Sequence, residues 1–494
     1  MSFNSKTFNS KTHEGSRETL DAARSGFRDE CGVFGIWNHP EASRLTYLGL
    51  YALQHRGQES AGIVSLDYKN DVAFHNIHRG LGLVNEVFNE TILDQLAGRA
   101  AIGHNRYSTT GSNLLANAQP LTAHILGQPF AIGHNGNFVN GNELRSELSE
   151  KGSIFQGTND TEGLMHLLAR SQSRDLLDSL VTVLPRLEGA YSLVILNGDC
   201  MVAARDPLGF RPLVIGSLRN MEGGKSIVFA SETCALDLIG AILEREVEPG
   251  EIVWVDADGM HSRRFADKAA GKNRTTAKCV FEHVYFARPD SIVFGESVYE
   301  SRKRMGALLA QQKKVDADLV IPVPDSGVPS ALGYSAESGI PFELGIIRNH
   351  YIGRTFIEPR QSIRSFGVKV KLNPQSAVLK GKRVIVIDDS LVRGTTCKKI
   401  IQLVRAAGAT EVHLRIAAPP TLGPCYYGVD TPRKSELIAS QKSVEEIRQF
   451  VEADTLEYLA TENLFRAVKG ESSQFCSACF GGEYPTKIYE RSKG

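Results

Sequence analysis

The sequence predicts two regions in series: an α+β sandwich of packed sheets, then an α/β domain built on a parallel sheet. Three observations carry this expectation. Over residues 31–265 many short apolar runs are bounded by Gly and Asn, and helical patterns are few. Beyond residue 279, near-continuous apolar strands alternate with helical segments, as in a parallel sheet covered on both faces. Between the two lies a polar stretch, residues 268–278, whose composition suits a linker.

Residues 1–30 are polar and contain a direct repeat, Phe3-Asn4-Ser5-Lys6-Thr7 followed by Phe8-Asn9-Ser10-Lys11-Thr12. They hold no apolar run of the kind a secretory signal needs, and residues 16–27 suit only a marginal helix. In the first region strands are expected at 32–37, 61–66, 131–134, 192–196, 228–231 and 252–255, with helices at 43–54, 161–169 and 176–187. In the second, strands are expected at 319–322, 342–347, 384–387 and 411–416, with helices at 299–312 and 397–407. From Ser443 onward the pattern reads as helical: Ser443 and Glu446 have capping-box spacing, and Val444, Ile447, Phe450 and Val451 form one apolar face.

Composition narrows the function. The 494 residues allow two or three domains, each with its own core. Lys+Arg and Asp+Glu both number 56, so the basic excess of a general nucleic-acid or membrane-surface binder is missing. Eight Cys are too few for a disulfide scaffold. No apolar run approaches the roughly 20 residues that span a bilayer. The 46 Gly make backbone-mediated ligand contacts worth seeking.

The most specific motif is Val384-Ile-Val-Ile-Asp-Asp-Ser-Leu-Val-Arg-Gly-Thr-Thr396. Four β-branched residues make a buried strand, and Asp388 and Asp389 stand at its carboxyl end, where open α/β sheets bind ligands. Residues 390–396 form a loop opening into a helix, and N–H groups and hydroxyls at such a start suit a phosphate dianion. The adjacent carboxylates suit ribose hydroxyls and a divalent cation. No Walker A pattern occurs. The stretch resembles the signature of phosphoribosyltransferases that use phosphoribosyl pyrophosphate (PRPP). That resemblance implies PRPP contacts from Asp388, Asp389, Ser390, Arg393, Gly394, Thr395 and Thr396. It implies Mg²⁺ near Ser326, Asp388 and Asp389, with residues 321–327 as the pyrophosphate loop. Residues 349–357 and the basic stretch through Lys369, Lys371, Leu372 and Asn373 look like a flap that closes over PRPP; a plain solvated loop is the alternative.

A second motif set opens the first region. Cys31 directly precedes a strand. After removal of residues 1–30 it would carry both a thiol and a free α-amine of ordinary pKa about 8, so one residue supplies nucleophile and base. Taken alone, such a Cys is more simply a buried strand-leading residue. Its companions change that reading: Leu53-Gln-His-Arg-Gly-Gln-Glu-Ser-Ala-Gly62, Gly103-His-Asn-Arg-Tyr-Ser-Thr-Thr-Gly111, Gly133-His-Asn-Gly-Asn137, Asn159-Asp-Thr-Glu162 and Ala204-Arg-Asp-Pro-Leu-Gly-Phe-Arg-Pro212. Together they resemble the N-terminal-nucleophile, class II glutamine amidotransferase domain. The resemblance implies an oxyanion hole from the Asn135 side chain and the Gly136 N–H. It also implies Arg106 on the glutamine α-carboxylate, and Asp160 with the Gly57 carbonyl on its α-ammonium.

Both sets in this order resemble the glutamine PRPP amidotransferase family over about residues 31–485. The implied division is a propeptide (1–30), a glutaminase sandwich (31–265), a linker (266–278), a phosphoribosyltransferase domain (279–460) and a C-terminal cysteine tail (461–494). The implied reaction makes 5-phosphoribosylamine from PRPP and glutamine, the first committed step of purine synthesis. A homotetramer inhibited by purine nucleotides, in the cytoplasm, with no nucleic-acid or membrane partner, is implied as well.

Cys200, Cys234 and Cys397 lie in apolar or helical contexts and are expected in the core. Cys279, Cys425, Cys476 and Cys479 remain, and by ligand type they suit either tetrahedral Zn²⁺ or an iron–sulfur cluster. Their contexts resemble the iron–sulfur branch of the family, which implies a structural [4Fe–4S] cluster. Two other readings compete: a PRPP-binding regulator without turnover, and an amidotransferase with another ammonia acceptor. The first lacks an evident DNA- or RNA-binding element. The second lacks a sugar isomerase or ATP pyrophosphatase region.

Overall fold

A computed structural model describes residues 31–107, 114–220, 223–266, 276–349, 372–429 and 431–489. The expected propeptide, most of the linker, Lys371 and most of the expected flap lie outside the described residues.

The first region is a sandwich of two antiparallel sheets. One has seven strands in the order Ile242–Glu246, Val214–Arg219, Lys225–Ala230, Gly32–Trp37, Ala100–Arg106, Ser60–Lys69, Val72–Leu81. The other has six, in the order Gly259–Arg264, Glu251–Asp256, Met201–Arg205, Gly189–Leu196, Gln128–Phe138, Leu121–Ile125. Their inner faces meet through Val33, Ile102, Ala131, Val194, Met201 and Phe229. Helix Ala42–Ala52 and helix Thr233–Ile239 pack on the outside of the first sheet, and helices Thr161–Ala169 and Leu176–Val183 on the outside of the second. Gly32–Trp37 and Gly189–Leu196 read as continuous apolar runs because both of their faces are covered.

The second region centres on a four-stranded, all-parallel sheet ordered Leu319–Pro322, Arg383–Asp388, Glu411–Ile416, Thr455–Tyr458. Helices Val298–Gln312 and Val328–Ser338 cover one face; helices Thr395–Ala406 and Val444–Val451 cover the other.

Two expectations need correction. Residues 342–347 are not a strand of this sheet. Phe342 makes only an isolated bridge to Val320, and Ile346–Arg348 pairs with Leu372–Pro374 instead. Pro341 has no N–H to extend a ladder. Nor is the chain helical throughout after Ser443: the capping box and helix Val444–Val451 form, but Thr455–Tyr458 is the fourth strand. Its period-2 burial, with Leu456 and Tyr458 inward, is too short to stand out in sequence. On that helix Ile447 and Val451 are buried, whereas Val444 in its first turn is exposed. The C-terminal segment is bound back into the body: Phe475–Cys476 pairs in parallel with Lys278–Cys279, and Arg304 Nε donates to the Ala467 carbonyl at 2.7 Å.

Candidate functional site

The glutaminase residues collect at one end of the sandwich. In the antiparallel ladder Gly32 is opposite Asn105, so Cys31, just before Gly32, adjoins the strand end that carries Arg106. Cys31 is buried, and its Sγ lies 3.7 Å from the Tyr107 carbonyl. Gly57 is wedged against the same peptide: a Cβ there would lie 2.6–2.8 Å from backbone atoms of Asn105 and Arg106. Its carbonyl accepts from Gln54 Nε2. Thus Cys31, Arg106 and Gly57 converge.

Asn135 and Gly136 lie on the facing sheet, opposite Ser192 and Tyr191. Ser231 joins the two sets. Its hydroxyl accepts from Val33 N at 3.0 Å and from Asn135 Nδ2 at 3.5 Å. Asn135 Oδ1 is buried with no hydrogen-bond partner among the described residues. Gly136 has φ +145°, and a Cβ would lie 2.0 Å from the Ala190 carbonyl oxygen. Asp160, just before helix Thr161–Ala169, accepts from Phe138 N at 2.8 Å and lies 3.7 Å from His134 Nδ1. Burial alone would raise its pKa, but His134 and the Phe138 and Thr161 donors outweigh that, and Asp160 is held below its ordinary value. An anionic side chain is what an ammonium needs. His134 sits inside the Gly133–Asn137 motif, whereas Ser231 carries no local signal in the sequence.

Segment 204–212 acts as scaffold. Asp206 accepts from the backbone N–H of Tyr191, Leu208 and Phe210 at 3.0–3.3 Å, and burial raises its pKa to about 6.

In the second region Asp388 and Asp389 end the central strand Arg383–Asp388, and helix Thr395–Ala406 starts just beyond, behind Gly394 at φ +75°. Ser390 Oγ donates to Asp389, and Ser326 from the expected pyrophosphate loop also bonds Asp389. Burial, reinforced for Asp388 by the neighbouring Asp389 charge, raises both carboxyl groups above their ordinary values. A divalent cation would relieve that cost, so Asp388, Asp389 and Ser326 fit Mg²⁺. Thr395 and Thr396 lie in the first helical turn. Arg393 Nη2 contacts Glu436 at 2.7 Å. Cys397 is buried, as expected, with Sγ 3.5 Å from Asp388 Oδ2. Cys200 and Cys234 are buried too.

The four remaining cysteines line one cavity with Phe210, Phe281, Tyr427 and Tyr484. Two pairings bring them there. Cys279 and Cys476 are register partners in the short parallel ladder. The Cys479 carbonyl accepts from Leu422 N and Gly423 N, which carries Cys425 alongside. The Tyr427 N–H lies 3.3 Å from Cys425 Sγ. Burial, and then the three neighbouring sulfurs, push the Cys479 thiol well up. Bound cations would relieve this. Among the described residues no three His, Cys, Asp or Glu side chains converge closely enough for a single metal ion.

The two regions interlock here. Asn137 Nδ2 donates to the Tyr426 carbonyl at 2.9 Å, and a Cβ on Gly428 would lie 3.0–3.2 Å from Gly136 backbone atoms.

Residues 104–238 match a glutamine amidotransferase domain and residues 300–434 a phosphoribosyl transferase domain. Amidophosphoribosyltransferase 1, chloroplastic, of Arabidopsis thaliana is 54% identical over 463 residues, which is 94% of this chain and 80% of that protein. The chain belongs to the amidophosphoribosyltransferase family. The amidophosphoribosyltransferase of Bacillus subtilis (strain 168) is 48% identical over 470 residues, covering 94% of this chain and 96% of that protein. The solved structure of glutamine PRPP amidotransferase from B. subtilis, complexed with ADP and GMP, matches with a TM-score of 0.86 at 46% identity. It covers 94% of this chain and 99% of that one. Family membership selects the amidophosphoribosyltransferase over the regulator and over other ammonia acceptors. No helix among the described residues is long and apolar enough to cross a membrane.

Proposed function

We propose that Cys31 hydrolyses glutamine and that the released ammonia aminates PRPP at the Asp388–Asp389 site of the same chain. The observation that carries this reading is the convergence of Cys31, Arg106 and Gly57 with Asn135, Gly136 and Asp160, joined through Ser231. In the proposed sequence residues 1–30 are removed and the free α-amine of Cys31 takes the thiol proton. The sulfur attacks the side-chain carboxamide carbon of glutamine. Arg106 holds the α-carboxylate, and Asp160 with the Gly57 carbonyl holds the α-ammonium. Asn135 Nδ2 and Gly136 N–H receive the developing oxyanion; two preorganised donors in a buried site stabilise it strongly. The C–N bond breaks, the α-ammonium of Cys31 returns its proton, and ammonia leaves. Water then cleaves the thioester to glutamate. Ammonia attacks C1 of the ribose, pyrophosphate departs, and loss of a proton gives 5-phosphoribosylamine.

Ser390, Gly394, Thr395 and Thr396 are assigned to the phosphate at the helix start, and Asp388 and Asp389 to the ribose hydroxyls. Arg393 joins them by giving up Glu436. Lys371 keeps its proposed PRPP role from sequence. Asp388, Asp389 and Ser326 would hold Mg²⁺, which supplies charge neutralisation for the pyrophosphate. Cys279, Cys425, Cys476 and Cys479 would hold a [4Fe–4S] cluster as a staple, since neither half-reaction moves an electron. The resemblance of the four cysteine contexts to the iron–sulfur branch of the family is what favours a cluster over zinc. Feedback by purine nucleotides is proposed from the B. subtilis relative complexed with ADP and GMP. A homotetramer and a cytoplasmic location are proposed from the family resemblance; the plant relatives are named as chloroplastic.

The test is a pair of measurements. Intact mass should show a chain beginning at Cys31. Cys31→Ala should abolish glutamine-dependent product while ammonia-dependent product persists. Loss of both in folded protein would count against two separate sites.

A further inference from the structure

Glu282 lies three residues past Cys279, in the first helical turn of the second region, and is fully buried. Its carboxylate takes two nitrogens of Arg56, Nη2 at 2.7 Å and Nη1 at 3.0 Å. Arg56 is buried as well. Its Nη1 also meets Glu232, and its Nε donates to the Cys31 carbonyl at 3.1 Å. A guanidinium is a planar fork, so two carboxylates on its outer nitrogens fix the direction of its Nε–H. Here that direction is the backbone of Cys31.

The same carboxylate reaches a second arginine. Arg211 Nη1 lies 3.3 Å from Glu282 Oε1, while its Nε and Nη2 donate to the Tyr427 carbonyl at 3.1 and 2.7 Å. Tyr427 precedes Gly428, which lies against Gly136. One side chain from beyond the linker thus holds both the carbonyl of Cys31 and the segment backing the oxyanion strand. Two arginines and two glutamates, Glu232 and Glu282, balance in charge.

We propose that Glu282 is a positioning residue for glutamine hydrolysis, acting through Arg56 on Cys31 and through Arg211 on the 427–428 segment. The proposal rests on Cys31 being the nucleophile. It assigns to the phosphoribosyltransferase side of the chain a residue that tunes the glutaminase without touching glutamine.

The test uses the full-length protein and three variants. Glu282→Gln keeps size and removes the charge. It should lower glutamine-dependent kcat about tenfold to hundredfold, as a small misplacement of a reacting group does. The glutamine KM should change less than about threefold, because Arg106 and Asp160 are untouched. Ammonia-dependent synthesis should be kept. Glu282→Asp should recover part of the loss, and alkylation of Cys31 by the diazoketone analogue of glutamine should slow in step with kcat. If Glu282→Gln fails to fold, Arg56→Lys decides: it keeps the charge, loses the fork, and should show the same split. Glutamine-dependent kcat within about threefold of wild type in the folded variant overturns the proposal. So does an equal loss of both activities, which would mean general packing. Glutamine-dependent turnover in Cys31→Ala would instead show that the underlying nucleophile assignment fails.

Discussion

Gly136→Ala is the sharpest perturbation of the proposed oxyanion hole. At φ +145° an L side chain is strained, and the added Cβ would lie 2.0 Å from the Ala190 carbonyl oxygen and 2.6 Å from its carbon. Observed Cβ contacts do not fall below 3.0 Å, so strand Gln128–Phe138 and strand Gly189–Leu196 must separate locally by roughly 1 Å. The Gly136 N–H moves with its strand. A displacement of that size is enough for about a hundredfold loss, and loss of one oxyanion donor costs about 10²–10³ in kcat, or about 2.7–4 kcal/mol on the barrier. The assay is initial rate with glutamine against initial rate with ammonia at saturating PRPP. The expectation is a loss of about 10²–10³ with glutamine and little change with ammonia, which serves as the folding control. Gly152→Ala separates strain from displacement. Gly152 also has positive φ, +84°, but open space around it, so that variant should lose only about 1 kcal/mol of stability and no activity. Glutamine-dependent kcat within about threefold of wild type in Gly136→Ala would refute the reasoning.

Replacing both Asp388 and Asp389 with Asn should raise the PRPP requirement or abolish turnover while the far-ultraviolet spectrum stays native; unchanged PRPP kinetics would sink the assignment. Glu232 is fully buried, and although burial would raise its pKa, His55 and Arg56 hold it well below the ordinary carboxylate value. Since the folded-state value lies below the unfolded one, its contribution is complete above the ordinary carboxylate range and fades as pH falls through the folded value. Glu232→Gln should therefore cost about 3–5 kcal/mol at neutral pH and show a shallower acid slope in denaturation; an unaltered slope would contradict this. Replacing any one of Cys279, Cys425, Cys476 or Cys479 with Ser should lower yield and Tm more than the kcat of surviving protein. Anaerobic iron and sulfide analysis decides the cluster, and stoichiometric zinc in active protein would overturn it.

Sequence pattern located the elements whose residues serve one local purpose. Strands 319–322 and 411–416 and helix 161–169 match the expected bounds, because the continuous apolar run of the first, the alternating Val412, Leu414 and Ile416 of the second and the apolar face of the third act within the segment itself. Residues 342–347 misled for the same reason: an apolar run was present, but a ladder also needs a partner strand and an available N–H, and neither is visible locally. Thr455–Tyr458 was missed because two inward residues in a four-residue strand give almost no periodicity. The site motifs were legible where chemistry demands neighbours in sequence, as for Asp388, Asp389 and the turn to Thr396.

What joins those motifs was not legible, and the reason is physical. Ser231 acts by bonding Val33 and Asn135, and an isolated Ser after a strand has many commoner uses. Arg56 lay inside a quoted motif, yet its partners Glu232 and Glu282 stand 176 and 226 residues away. A lone Glu in sequence is expected to be solvated. Only the fold makes these residues an array: burial forbids an unpaired charge, so each must find its opposite, and the pairing found fixes the geometry of everything the guanidiniums touch. Here they touch the Cys31 carbonyl and the Tyr427 carbonyl. Residues 31–265 therefore do not supply every contact of the proposed glutaminase site. The proposed nucleophile, Cys31, is held partly through Arg56 by Glu282, which arrives with the cysteine-bearing start of the second region, and the proposed oxyanion strand is backed by the segment following Cys425. A domain cut at the linker would take Glu282 from Arg56, and Glu282 and the Tyr427 carbonyl from Arg211, and the geometry around Cys31 would relax with them.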